Sequence, residues 1–258
     1  MIACSAGWDT DCNSGNVGCL NGIRLGLDGF TKGADLRRPV ADRLYVVTSD
    51  GGSCISDAVI ETRKILKAAA KLNGEEIKLP EERLAFEYPG SVQGIVPYDK
   101  DCEEQVLTKI ENSYETTGEY GCRICYEGLA SGVHASVAID TFIDLKPKGK
   151  EGTSYFDVLC SPTLYSGQDI CLVVDALNDK NPKLELFFEY FDENDFLENI
   201  YCGKHGLNKG RNILHLNVPD TQGHPIFRVG ICLTSEERLD GSIIVKSIDW
   251  ANTPEKYK

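Results

Sequence analysis

The spacing of apolar side chains changes period part-way along this chain. From about residue 119 onward, apolar and polar positions alternate in short runs. Cys122-Arg123-Ile124-Cys125-Tyr126, Ala135-Ser136-Val137-Ala138-Ile139-Asp140 and Asp169-Ile170-Cys171-Leu172-Val173-Val174 are the first of these. Leu184 to Tyr190, Asn212 to Val218, Phe227 to Leu233 and Ser242 to Ile248 follow. Turn formers separate the runs at Asn178-Asp179, Asn181-Pro182, Asn208-Lys209-Gly210 and Asp240-Gly241. A period of two gives each strand one buried and one outward face. Many short strands with regular turns predict an antiparallel sandwich.

The earlier part reads differently. Gly15, Gly18, Gly22 and Gly26 recur at helical spacing within a segment from about Asn13 to Leu27. Glycine is a poor helix former, so four on one face predict close approach to another helix. A second helix follows near Ser56, with Ile55, Val59, Ile65, Leu66 and Ala69 as its apolar stripe and Asn73-Gly74 as its stop. Pro80, Pro89, Gly90 and Gly94 then interrupt any regular element. The pattern divides the chain into a helical region over 1–85, a linker over 86–118 with room for a short helix from Asp101 to Tyr114, and a sandwich over 119–258. The fold class is α+β multidomain.

Charge and cysteine usage narrow the function classes. The 258 residues carry a net charge of -13. Phosphate backbones and anionic lipid surfaces need clustered Lys and Arg, so neither nucleic acid nor a membrane surface is expected as a partner. No apolar run is long enough to span a bilayer, and Met1 to Ser5 lacks the form of a secretory signal. The 11 cysteines are an odd number without a regular framework. A cytoplasmic protein with free thiols is the resulting expectation. Cys122-x-x-Cys125 has no second cysteine pair to complete a zinc site. Asp50-Gly51-Gly52-Ser53 reads as a loop and cap. His134, His215 and His224 lack a nucleophile context.

The densest candidate chemistry is Gly7-Trp8-Asp9-Thr10-Asp11-Cys12-Asn13. Two carboxylates before a helix fit either a cap for free backbone amides or a hard-cation site, and the residues alone leave both open. The motif and the glycine pattern behind it resemble the last metal-binding motif of the ADP-ribosylglycohydrolases. Pro39 to Leu44 and Thr48 to Ser53 extend that resemblance. It implies an all-α helical domain, represented here by its C-terminal part. It also implies magnesium or manganese held by Asp9 and Asp11, with Thr10, Cys12 and Asn13 beside the metal or substrate. The implied reaction is metal-dependent cleavage of a glycosidic bond to ADP-ribose or a related sugar conjugate. The family's Thr-Asp-Asp cluster is absent from this sequence. Half of a two-metal site is therefore expected from a missing N-terminal half or another chain, and this chain alone is expected to be inactive.

The second part resembles jelly-roll or galactose-binding-like modules. Val218-Pro219-Asp220-Thr221 leading to Ile226–Ile231, and Gly241–Val245 leading to Ile248-Asp249-Trp250, carry that resemblance. It implies a non-catalytic binding alternative, in which the sandwich holds a glycan or a protein. Sugar sites need exposed aromatic faces beside a few polar groups. The candidates are Trp250 and Tyr190, with Tyr165, Phe191 and Tyr201 behind them.

Overall fold

The computed structural model describes residues 2–7, 10–30, 32, 42–45, 55–88, 90–141, 162–194 and 196–251. In chain order these form α1 (Asp11–Leu25), β1 (Arg43–Tyr45), β2 (Ile55–Asp57), α2 (Ala58–Leu72), β3 (Val96–Pro97), β4 (Leu107–Asn112) and α3 (Tyr114–Thr117). There follow β5 (Cys122–Leu129), β6 (His134–Asp140), β7 (Asp169–Ala176), β8 (Lys183–Phe191), β9 (Leu197–Tyr201) and β10 (His205–Gly206). The last three are β11 (Gly210–Asn217), β12 (Ile226–Thr234) and β13 (Leu239–Ala251).

Two antiparallel sheets make the sandwich. One has five strands in the order β11-β7-β13-β5-β4. The other has six, in the order β10-β8-β12-β6-β3, with β9 also paired to the outer edge of β8. The alternating runs build the core as their period requires. Ile170, Leu172 and Val174 point inward from β7, and Ile243 and Val245 from β13. They meet Val137 and Ile139 of β6, Leu184, Leu186 and Phe188 of β8, and Val229, Ile231 and Leu233 of β12. Burial of this apolar surface is the main favourable term of the fold.

The helical part corrects the expectation of an all-α domain. Among the described residues there are three α-helices, and sheet dominates. No side chain of α1 is buried. A Cβ placed on Gly15, Gly18 or Gly22 would meet nothing within 4 Å among the described residues, so these glycines mark no close approach to another described helix. The helix foreseen from Asp101 to Tyr114 is also corrected: β4 occupies Leu107–Asn112 within it, and only Tyr114–Thr117 is helical. Residues 84–112 belong to the sandwich. Leu84 exchanges two backbone hydrogen bonds with Ile248, each 3.0 Å, and Leu84, Phe86 and Ile95 are core residues.

A buried polar knot fastens α2 to this stretch. The Asp57 carboxylate caps α2 by accepting the Ile60 N–H at 2.8 Å. Its other oxygen accepts from Gln93 Nε2 at 3.0 Å. Gln93 Oε1 accepts the N–H groups of Phe86 (2.6 Å) and Ala85 (3.0 Å). Arg63 of α2 donates through Nε to Glu87 at 2.7 Å and through Nη1 to the Glu82 carbonyl at 2.6 Å. Truncating Gln93 would orphan several of these buried groups at once. Gln93→Ala should destabilise the fold by about 2–3 kcal/mol in urea denaturation.

Burial pushes the Asp57 carboxyl above its ordinary value of 3.8, although hydrogen bonds from Ile60 and Gln93 oppose the shift. A raised folded-state pKa favours folding most when the group is protonated. That contribution is present below the unfolded pKa, about 4, and is lost as pH rises through the folded value. Asp57→Ser keeps a capping oxygen without the titration. The stability of the native chain relative to this variant should therefore fall as pH rises from about 4. Denaturation curves across that range provide the measurement.

Candidate functional site

The two sheets differ on their outer faces. Along β11 of the five-stranded sheet, exposed and half-exposed positions alternate. In the six-stranded sheet, β6, β8 and β12 are buried almost without interruption. Their outward side chains are covered too, and the cover is built from a few residues.

Strand register sets the arrangement. Ala138, Gly230, Phe187 and Tyr201 lie side by side across β6, β12, β8 and β9. Asp140, Arg228, Glu189 and Asn199 form the next row on the same face. Ser136, Cys232 and Glu185 form the row on the other side. Gly230 is the reason the middle row is flat. A Cβ there would lie 2.1 Å from Phe187 Cζ, so the phenyl ring occupies the space a side chain would fill. Phe187 is fully buried as a result.

Two tyrosines close over that ring. Tyr98 follows β3, its N–H bonded to the Ser136 carbonyl at 3.0 Å. Gln105 holds the same place, accepting the Ser136 N–H at 3.0 Å and donating to the Tyr98 carbonyl. The Tyr98 ring reaches across the small side chains of β6 and β12 to Phe187, at a centroid distance of 4.7 Å. Tyr201 meets Phe187 at 5.6 Å and is 50% exposed. Such tilted pairs add modestly to the area they bury.

The charged row fixes the Tyr98 ring. Its hydroxyl donates to Glu189 Oε1 at 3.0 Å and accepts from Asn199 Nδ2 at 2.9 Å. The other Glu189 oxygen takes Arg228 Nη1 at 2.9 Å. Arg228 Nε bonds Asp140 at 2.8 Å, and Arg43 of β1 pairs with the same aspartate. Both Glu189 oxygens are therefore occupied in holding the platform. Burial pushes the Tyr98 phenol well above its ordinary pKa, with Glu189 adding to the effect against the Asn199 hydrogen bond. Tyr98 thus remains a neutral donor at physiological pH. Burial likewise raises Cys232, so it stays a thiol.

A groove of about 420 Å³ runs beside this platform. Tyr98 and Tyr201 contribute aromatic walls, Glu185, Ser136 and Cys232 the strand positions, and Lys204 a basic group. The loop of residues 130–133 and the turn at 235–236 complete it. A larger groove, about 560 Å³, lies at the edges of β3 and β4. Among the described residues no Phe, Tyr or Trp lines that one, so they offer it no stacking surface.

The residues singled out from the sequence lie mostly elsewhere. Asp9 falls outside the described residues. Asp11 is exposed at the start of α1, where one oxygen accepts the Cys12 N–H at 2.7 Å. Thr10 Oγ1 donates to the Cys4 carbonyl at 2.9 Å, and Cys12 and Asn13 are exposed. Among the described residues, no group of three or more His, Cys, Asp and Glu side chains is gathered as a metal ion would need. Trp250 is 7% exposed and donates its indole N–H to the Thr163 carbonyl at 2.7 Å, under the Arg83 guanidinium. Tyr190 packs against the core, and Phe191 packs on Phe227. Of the aromatic candidates, Tyr201 reaches the groove. Tyr98, Phe187 and Glu185 were not foreseen. The alternation Glu185, Phe187, Glu189 on one strand face was the available signal.

No known family model matches the chain, and no curated protein matches it either. Solved structures do. One is a carbohydrate-binding module of the β-sandwich superfamily, at 13% identity and a TM-score of 0.45, over 69% of this chain. The chain spans 64% of the length of that structure. Another is the family 11 carbohydrate-binding module of a cellulosomal cellulase of Clostridium thermocellum. It is 12% identical with a TM-score of 0.42, over 70% of this chain and 98% of that one. A third is a xylan-binding domain from Paenibacillus barcinonensis, at 11% identity and a TM-score of 0.43, over 66% of this chain and 93% of that one. At such scores the architecture rests on the strand order of the chain itself.

These findings overturn the ADP-ribosylglycohydrolase reading. The described residues are mostly sheet with few helices, and no family model supports the helical resemblance. The expected cleavage of a glycosidic bond to ADP-ribose falls with it. No helix among the described residues is long and apolar enough to cross a membrane.

The platform yields a direct check. Gly230→Val would drive a side chain into the Phe187 ring and lift it from the sheet. Overpacking of this kind should cost about 1–3 kcal/mol in stability. The near-ultraviolet circular dichroism of the tyrosines should weaken in parallel, since Tyr98 and Tyr201 both rest on Phe187.

Proposed function

We propose that this chain is a non-catalytic carbohydrate-binding module that holds its glycan in the groove on the outer face of the six-stranded sheet. One observation carries the reading: a half-exposed tyrosine, Tyr201, and a hydrogen-bonded one, Tyr98, wall a groove whose remaining lining is mostly polar. A pyranose ring presents C–H groups on its faces and hydroxyls at its rim. Aromatic faces match the former, and a few fixed polar groups match the latter. Glu185 and Ser136 accept from sugar hydroxyls, and Lys204 donates to them. The platform is built before any ligand arrives, so little ordering entropy is spent on binding.

Affinity electrophoresis against a panel of soluble neutral polysaccharides, followed by calorimetry, tests the reading. The native chain should be retarded by at least one of them. Tyr201→Ala should weaken that binding by about tenfold, or ~1.4 kcal/mol. Its thermal midpoint should barely move, because the side chain is half exposed. Absence of retardation by every polysaccharide, or full affinity in Tyr201→Ala, would sink the proposal.

A further inference from the structure

The groove carries an uneven charge. Asp99, Glu185 and Glu236 line it, against Lys204 and His134. These carboxylates come from separate elements. Asp99 follows β3, Glu185 sits within β8, and Glu236 follows β12. Glu185 is 9% exposed and fixed from two sides. Its backbone is registered opposite Cys232, and one carboxylate oxygen accepts the Gly203 N–H at 2.8 Å. The chain as a whole is also strongly acidic, at -13. A recess lined by one sign of charge focuses its field on whatever enters.

We infer that the groove ranks glycans by charge: amine-bearing sugars bind most tightly, neutral sugars less so, and uronate-bearing sugars least. The inference rests on the glycan-binding reading above. An ammonium group gains a charge-assisted hydrogen bond from a fixed carboxylate. A uronate meets like charge from three elements, and Lys204 offsets only part of it. A neutral sugar is indifferent to the balance, so it falls between them.

Cellohexaose, its glucosamine counterpart and its glucuronate counterpart form a matched series that differs by one functional group per ring. Calorimetry with the full chain at low ionic strength, at one pH near 6 for all three ligands, reads the ranking where screening is weakest. The glucosamine hexamer should bind about tenfold more tightly than the glucuronate hexamer, with cellohexaose between. The double variant Asp99→Asn, Glu236→Gln removes the two exposed charges and leaves Glu185 in place. It should narrow the spread several-fold, as should raised salt. Equal affinities, a reversed order, or a spread unchanged in the double variant overturns the inference. If none of the three hexamers binds while another neutral polysaccharide retards the chain, the inference falls and the glycan reading stands. If no glycan of any kind binds, both fall.

Discussion

The Phe187 ring lies on bare backbone at Gly230, and the outer face of the six-stranded sheet is organised around that contact. A larger residue at 230 would raise the ring and with it both tyrosines. Tyr98 packs against Ala138 and Cys232 as well as Phe187, and the small side chains at 138 and 232 leave room for its ring. What results is a buried aromatic floor under two tyrosines with different duties. Tyr98 is pinned by Glu189 and Asn199, and Tyr201 remains half open to solvent. The row of Asp140, Arg228 and Glu189 takes part in this positioning. With Arg43 also paired to Asp140, two guanidinium groups face the two carboxylates, which offsets the desolvation that paired buried ions incur.

Much of the sandwich was legible because its strands obey a simple rule. β7 shows it plainly, with Ile170, Leu172 and Val174 inward and half-buried residues between. Strands that break the rule were harder to see. β9 is five residues long and follows an acidic turn that reads as a solvated loop. In the structure, the Asp192 carboxylate accepts the N–H groups of Phe196 (2.7 Å) and Asn194 (2.8 Å), which closes the hairpin from β8 into β9. β3 has two residues and includes a proline, so no periodicity exists to detect. The knot of Asp57, Gln93 and Phe86 draws together residues up to 36 positions apart through side-chain amide chemistry, which carries no hydropathy signal.

The candidate site was less legible than the fold. Aromatic residues in a strand announce themselves by type, but their availability depends on what packs over them. Trp250 and Tyr201 look alike in this respect in the sequence. One has its indole N–H bonded inside the core, and the other stands at a groove wall. Tyr98 was invisible because its role depends on residues about ninety to a hundred positions away. The Asp-Thr-Asp motif misled for a related reason. A short polar string and spaced glycines have a structural consequence only where a partner surface meets them, and Gly15, Gly18 and Gly22 meet none among the described residues.

The proposed glycan site lies on the outer face of the six-stranded sheet, beside Tyr98 and Tyr201. Amide chemical-shift mapping by nuclear magnetic resonance, during titration with cellohexaose, xylohexaose and mannohexaose in turn, tests it most directly. At least one of them should perturb residues 98–99, 131–136, 185–187, 201–204 and 232–236 as a contiguous patch. Perturbations confined to the groove at the edges of β3 and β4, with the outer face silent, would contradict it.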